Sequence, residues 1–245
     1  MPAMHGKNAL VYYNGTNLTS FLKEYSASAK VDTAETSTFG ATNKTYVGGL
    51  ADATLSMSGY FDGTAAAIDS ILAAAIGSAT DAGIIVSPSG SLAVGTRVIA
   101  GPVVETSYQV SGSIGDTVAV SAEFQADGGF QTGVSLHALA AETITGTGTG
   151  VQDQGATFTT STDGLLGVLM VTANTIATST AFVIASAATE PTYTTHITFP
   201  TVLTGVTGTY VVAFPPGVAI NKFLRGAWTC TGVGSITFTM AVVRL

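Results

Sequence analysis

Charge is what this sequence has least of. Only 9% of its 245 residues are Asp, Glu, Lys or Arg, against about 25% in an ordinary soluble domain, while hydrophobic residues reach 46%. A surface this poor in charge consists of Thr, Ser, Gly and Ala and does little to keep copies of the chain apart. Burial against other subunits is one consequence. A solitary Thr- and Gly-rich β domain has the same composition, and composition alone leaves the two open. Basic clusters are absent, which excludes a protein that grips nucleic acid through its phosphates. The formal net charge of −7 is carried early: residues 1–139 hold eleven acidic and five basic side chains, residues 140–245 four and three. Such an acidic surface repels DNA and lets it pass without adhering.

Cysteine is nearly absent. Cys230 has no partner for a disulfide, a redox pair or a metal and is expected to be a small buried hydrophobe. Long apolar runs are missing too: Leu165 to Val171, interrupted by Gly167, is far short of the roughly 20 residues of a membrane helix. The opening MPAMHGKNALVYY has neither the basic start nor the apolar stretch of an export signal, so the expectation is a chain made in the cytoplasm. His5, His137 and His196 show no metal-ligand spacing. Ser111-Gly112-Ser113-Ile114-Gly115 lacks the first glycine of a hydrolase elbow. Gly146, Gly148 and Gly150 precede strand, not the helix a dinucleotide site needs. Asp32 with Glu35, a carboxylate pair, sits in a polar stretch without an aromatic sugar platform. The expectation is no enzyme and no cofactor.

What the sequence does contain is strand pattern. Ala9 to Tyr13 runs into Asn14-Gly15, a tight-turn signal that opens a hairpin. Residues 18–30 contain a second strand, and Val31 to Gly49, polar and Thr-rich, reads as an extended loop. In the segment from Ala53 to Phe61, Leu55 and Met57 alternate with Thr54, Ser56 and Ser58, and Val118, Val120, Ala122 and Phe124 alternate with polar neighbours further on. One helix is predicted over about Thr64 to Ile76, capped by Asp62 or Thr64 and ended by Gly77, with Ile68, Ile71, Leu72, Ala75 and Ile76 on one face and Asp69 off it. Residues 141–150, with TITGTGTG, read as a flexible linker between a domain of residues 1–140 and a second of residues 151–245. The second has regular strands and turns and no helix, the pattern of a β-sandwich of jelly-roll or Ig-like type.

The run Leu18 to Leu22, then Asp32-Thr33-Ala34-Glu35-Thr36-Ser37-Thr38-Phe39-Gly40, then Lys44 to Asp62 and the helix resembles the tail tube (major tail) proteins of long-tailed bacteriophages. In that family a strand leads to a long loop with Thr-Phe-Gly, then a Gly-Leu-x-Asp turn, a strand and one helix, and each step is present here. The resemblance implies a mainly β fold: an N-terminal tail-tube-type β-sandwich or barrel with one helix, then a C-terminal β-sandwich outside the tube. It implies stacked, usually hexameric rings whose sheets join into a channel for DNA. Partners would be the chain itself, tape measure, tail terminator and baseplate or tip proteins, and viral DNA passing without specific binding, all in the virion tail. Asp32, Thr33, Glu35, Thr36, Phe39, Lys44 and Tyr46 become the expected inter-ring contact loop. Arg225 and Trp228, near the end, are expected to brace the second sandwich, the ring packed and the guanidinium paired. The competing reading is a decoration or adhesin protein whose C-terminal sandwich binds carbohydrate, with Trp228 as a stacking platform.

Overall fold

The structure is a computed structural model, described over residues 6–39, 42–64, 67–78, 82–128, 130–152 and 160–245. It is mainly β. The first strands are β1 (Leu10–Tyr13), β2 (Thr16–Asn17), β3 (Leu22–Glu35) and β4 (Tyr46–Tyr60). Helix α1 (Ile68–Ala75) precedes β5 (Ala82–Ser87), β6 (Arg97–Ser111), β7 (Ala119–Ala126) and β8 (Gln131–Glu142). Three two-residue strands follow: β9 (Gly146–Thr147), β10 (Val151–Gln152) and β11 (Thr160–Ser161). Then come β12 (Leu165–Asn174), β13 (Ser179–Ala187), β14 (Thr194–Thr198), β15 (Val202–Leu203) and β16 (Gly208–Phe214). The chain closes with β17 (Ile220–Asn221), β18 (Phe223–Thr231) and β19 (Ile236–Arg244).

These elements form two compact units. Unit 1 comprises Met1–Ser20, Thr80–Val103 and Asp127–Leu245; unit 2 comprises Phe21–Ala79 and Val104–Ala126. The division expected at residues 141–150 therefore falls inside unit 1.

Unit 1 packs two sheets. One runs β16-β12-β19-β8-β6-β5-β1-β2, the other β10-β18-β13-β14 with β9 and β15 on its edges. In the first sheet β19, from the second half of the sequence and flanked by β12, pairs with β8 from the first half. The apolar run Leu165 to Val171 in β12 is explained by burial on both faces. Leu165, Leu169 and Val171 join Phe238, Met240, Phe182, Leu224 and Trp228 in one core. Leu166, Val168 and Met170 join Tyr12, Ile85, Val98, Ala100 and Val243 in the other. The two halves of the sequence thus share both cores, and an independent fold for residues 151–245 is corrected.

The linker reading is corrected as well. Thr147 and Gly146 pair with Ala227 and Trp228, and Val151 and Gln152 pair with Leu224 and Phe223, so residues 146–152 line one edge of β18. Glycine is required at 146 because the indole of Trp228 lies where a Cβ would stand, 2.6 Å away. The opening turn follows its sequence signal: Asn14 and Gly15 have φ of 44° and 84°, as the hairpin turn demands.

Unit 2 is thinner. Its sheet runs β3-β4-β7 and on to the second part of β6. On one face Ala53, Leu55, Met57, Val120, Ala122 and Phe124 are buried, and α1 adds Ile68 and Leu72. The helix is shorter than predicted. Asp62 Oδ1 accepts the amide and hydroxyl hydrogens of Thr64, closing a turn ahead of the helix, and Ala67 occupies the N-cap in extended backbone without a side-chain cap. Ile76 leaves the helix with ψ 127° and is exposed, while Gly77 takes φ 73° just beyond it.

Candidate assembly interface

Val31 to Gly49, expected as a loop, is for the most part a β-hairpin. Thr33, Ala34 and Glu35 of β3 pair with Gly48, Val47 and Tyr46 of β4, and at Asp32 a bulge sets two residues of β4, 49 and 50, against one of β3. Past the last pair, the Thr36 amide donates to Thr45 O at 2.8 Å, the Thr36 hydroxyl to Thr45 Oγ1 at 3.1 Å, and the Thr45 amide to Ser37 Oγ at 3.0 Å. Lys44 Nζ lies 3.0 Å from Glu35 Oε2. The stretch is polar because both faces of the hairpin are exposed here, not because the chain is irregular: Thr, Val, Ala and Tyr all favour or tolerate pairing. The seven expected contact residues do gather at one end of the hairpin, where Phe39 is fully exposed and Val31, Tyr46 and Val47 are about half exposed. Gly40 and Ala41 lie outside the described residues.

The cross-strand register sorts the side chains of unit 2 by face, since residues directly opposite each other point the same way. Glu24 stands opposite Ser58 and Ser58 opposite Ser121; Ser26, Ser56 and Glu123 form the next row, Ser28, Thr54 and Gln125 the next, then Lys30 and Asp52. Not one of these is apolar. Lys30 Nζ is 3.4 Å from Asp52 Oδ2, and Gln125 Nε2 donates to Asp52 Oδ1 and, at 3.1 Å, to Ala53 O. One face of the sheet is therefore dry, and the other is a flat field of hydroxyls and carboxylates.

Both edges of this sheet are open. Among the described residues β3 pairs only with β4. β6 pairs with β5 and β8 no further than Val103, so among the described residues Val104–Ser111 has β7 on one side and no strand on the other. Free backbone N–H and C=O groups along such edges are templates for another strand. Sequence reasoning did not find these edges, because nothing in a strand's own residues says that it is last in a sheet.

Nor was Glu105 singled out. It is 4% exposed, neither carboxyl oxygen has a hydrogen-bond partner, and burial pushes its carboxyl up to about 8. Nearby, the Tyr108 hydroxyl donates to Asp69 Oδ1 at 2.6 Å, so Asp69 is held by the sheet and is not simply solvated. Desolvation, this hydrogen bond and the charges of Asp69 and Glu105 raise the Tyr108 phenol. An acid inside Val103-Val104-Glu105-Thr106 was the available signal.

In unit 1 the indole of Trp228 is 7% exposed, lies 4.6 Å from the His137 ring and 5.4 Å from Phe238, and donates its Nε1 hydrogen to Ile144 O at 3.0 Å. With its faces packed it offers no platform for a sugar, which corrects that candidate. The Arg225 guanidinium lies 3.8 Å over the Tyr193 ring, and Tyr193 donates to Glu190 at 2.6 Å. The Arg225 guanidinium thus lies against an aromatic face, and its Nε is buried without a hydrogen-bond partner among the described residues.

Little else has the chemistry of a site. Ser186 Oγ shares a hydrogen bond with His196 Nε2 at 2.7 Å and accepts the Asn221 amide hydrogen at 3.0 Å. Burial and the charge of Arg244 lower the His196 imidazole, but Ser186 is fully buried and no substrate reaches it. A cavity of about 480 Å³ is lined by Pro102, Leu166, Val211, Ala213 and Leu245, with Asp127 as the charged member. Among the described residues no group of three or more His, Cys, Asp or Glu is placed to hold a metal ion, and no helix is long and apolar enough to cross a membrane. His5 lies outside the described residues.

No family model and no curated protein matches the chain. Similar solved structures include chains of gene transfer agent particles and a phage protein. A chain in the virion of a native gene transfer agent particle is 17% identical with a TM-score of 0.44, covering 53% of this chain and 98% of that one. A chain in the tail of an empty gene transfer agent particle, refined with C6 symmetry, is 16% identical with a TM-score of 0.43 and the same coverage. The Dit protein of phage SPP1, a hub of the adsorption apparatus, is 14% identical with a TM-score of 0.37, covering 96% and 99%.

Proposed function

We propose that the chain is a structural subunit of a bacterial-virus tail, joining side by side into hexameric rings that stack into a tube for DNA passage. The observation that carries this reading is the sheet of unit 2, with two open edges, one buried face and one polar face. Joining β3 of one copy to the Val104–Ser111 part of β6 in the next satisfies both edges, and repetition of that heterologous contact closes a ring. The polar face then lines the channel. Unit 2 holds nine acidic and three basic side chains, and unit 1 six and five, so the negative charge is concentrated where DNA would pass and would repel its phosphates. The hairpin end around Phe39 is the part that reaches the next ring, with further tail proteins at the ends of the tube.

Electron microscopy of the purified protein at rising concentration tests the reading. Stacked rings with a central bore are the expected result. Discrete particles at every concentration, with or without an assembly initiator, would sink it.

A further inference from the structure

Residues 140–245 hold three basic side chains. Arg244 is buried and bonded to Ser161, Ile220 O and Asn221 O. The other two, Lys222 and Arg225, stand together around the start of β18 in unit 1. Leu224 belongs to the core, so its neighbours Phe223 and Arg225 point the other way, onto the outer face of the sheet. Opposite them on β13 are Ala187 and Ala185, which offer no side-chain acceptor. The Lys222 ammonium lies 5.0 Å over the ring of Phe223, whose Cα is about 6.8 Å from that of Arg225. Neither cation has an ion pair among the described residues.

Arg225 is held in place without being satisfied. Its guanidinium lies 3.8 Å over the Tyr193 ring, and the Tyr193 hydroxyl donates to Glu190 Oε1 at 2.6 Å. Both of these partners rest on the backbone of Gly150, where an added Cβ would collide with the hydroxyl and the carboxylate. Burial, the bond to Glu190 and its charge push the Tyr193 phenol up to about 12 against a pull from Arg225, so Tyr193 remains a donor to Glu190. Burial of the guanidinium stops at Nε: the terminal nitrogens of Arg225 reach solvent and have no acceptor among the described residues. A fork fixed by stacking loses little freedom when it takes a ligand.

We propose that Arg225 and Lys222 form a receptor for a phosphate group, free or esterified, with two of its oxygens on the Arg225 fork and a third toward the Lys222 ammonium. A carboxylate has two oxygens, and the fork alone would use both. Phosphate has a further oxygen for the point charge that a lysine carries on its flexible stem. Tyr193 and Glu190 are positioning residues, since they aim the guanidinium and take no part in the contact. Duplex nucleic acid is a poorer fit, because it is held by rows of cations along its phosphates, and this face presents two. The site needs no assembly and stands apart from the ring and tube reading.

The test follows full-length protein by heteronuclear NMR, reading the Arg225 Nε–H and the Gly150 and Phe223 amides. Inorganic phosphate, glycerol phosphate, glycerate and a duplex oligonucleotide are added in turn. The phosphate probes should shift these signals saturably and bind several-fold tighter than glycerate, and the tighter of the two names the form of the ligand. Arg225→Ala should weaken binding by about tenfold or more, and Arg225→Lys, which keeps the charge but not the fork, by nearly as much. Lys222→Ala should remove the preference for phosphate over carboxylate. Because Arg225 also packs on Tyr193, thermal unfolding of each variant is measured alongside, and Gly150→Ala serves as a second probe. It displaces only the flexible ends of Tyr193 and Glu190, so stability should hold while affinity falls several-fold. A merely structural Arg225 would change the unfolding and leave no phosphate-dependent shift. Signals that neither phosphate probe moves, an Arg225→Ala variant that binds like the wild type, or shifts produced by the oligonucleotide alone would each overturn the receptor.

Discussion

Unit 1 satisfies itself and unit 2 does not. In unit 1 the strands β12 and β19 are buried on both faces, its two cores are filled by large aliphatic and aromatic side chains, and its charge is close to balanced. Unit 2 has one dry face, excess negative charge and, among the described residues, two free sheet edges and a buried carboxyl without a hydrogen-bond partner. The contrast teaches where each kind of selection acts. A core that closes on itself records the needs of the single chain, whereas open edges and an unmatched carboxyl are the features from which the proposed assembly is argued.

The hardest way to break this comparison is to cut unit 1. Ending the chain after Ala141 removes β12 and β19 from the middle of the sheet and leaves Val98, Ala100, Val134 and Leu136 facing water. The truncated chain should fail to fold, showing no cooperative thermal transition, because it loses the partners of both cores. A stable fragment that still assembled would restore the boundary at residues 141–150. Within the intact chain, Phe238→Ala should cost about 3–5 kcal/mol in denaturant unfolding, since Phe238 is fully buried and packs on His137, Phe182 and Trp228.

Unit 2 should answer in the opposite direction. The Glu105 carboxyl lies near 8 in the folded subunit against an ordinary value of 4.5, with Asp69 and Tyr108 close by. Below pH 4.5 folded and unfolded chains both carry its proton, and Glu105 adds no pH dependence. Between 4.5 and 8 the unfolded chain gives the proton up while the folded chain retains it, so this group makes stability fall as pH rises through that window and level off above it. Glu105→Gln should flatten that slope and stabilise the unassembled subunit at pH 8 by a few kcal/mol, each pKa unit being worth about 1.4. A variant that is neither more stable nor pH-insensitive would show that the carboxyl finds a partner within the subunit.

Much of unit 1 was legible because its signals are local. Asn14-Gly15 names its own turn, and the regular strand and turn signals of residues 151–245 name the strands there. Helix α1 was readable as a helix but not to its first turn, since Asp62 could cap either the helix or the turn before it. What misled was polarity. Thr- and Gly-rich segments at 31–49 and 141–150 look alike as loops, yet one is a hairpin bare on both faces and the other pairs along β18. Sheet order was not legible either. That β8 lies beside β19, about a hundred residues away, depends on register between distant strands, and the isolation of Glu105 depends on what fails to come near it.

The smallest expected effect is the most telling about the hairpin. Replacing Thr36–Thr45 by Asn-Gly keeps the β3–β4 register at Glu35 and Tyr46 and supplies a two-residue turn of the preferred kind. The excised part contributes the exposed Phe39 and the surface ion pair of Lys44 with Glu35, and exposed pairs of this kind are worth about 0–1 kcal/mol. Subunit stability should therefore change by less than about 1 kcal/mol in urea unfolding. Stacking should respond differently, because the deleted tip carries several of the groups assigned to the contact between rings. Short rings or single discs in micrographs, from a subunit of unchanged stability, would place the function of the tip entirely in assembly. Tubes of normal length would instead move the inter-ring contact elsewhere on unit 2, to its other end, where Ile114 is fully exposed and Tyr60, Phe61, Val110 and Val118 are roughly half exposed.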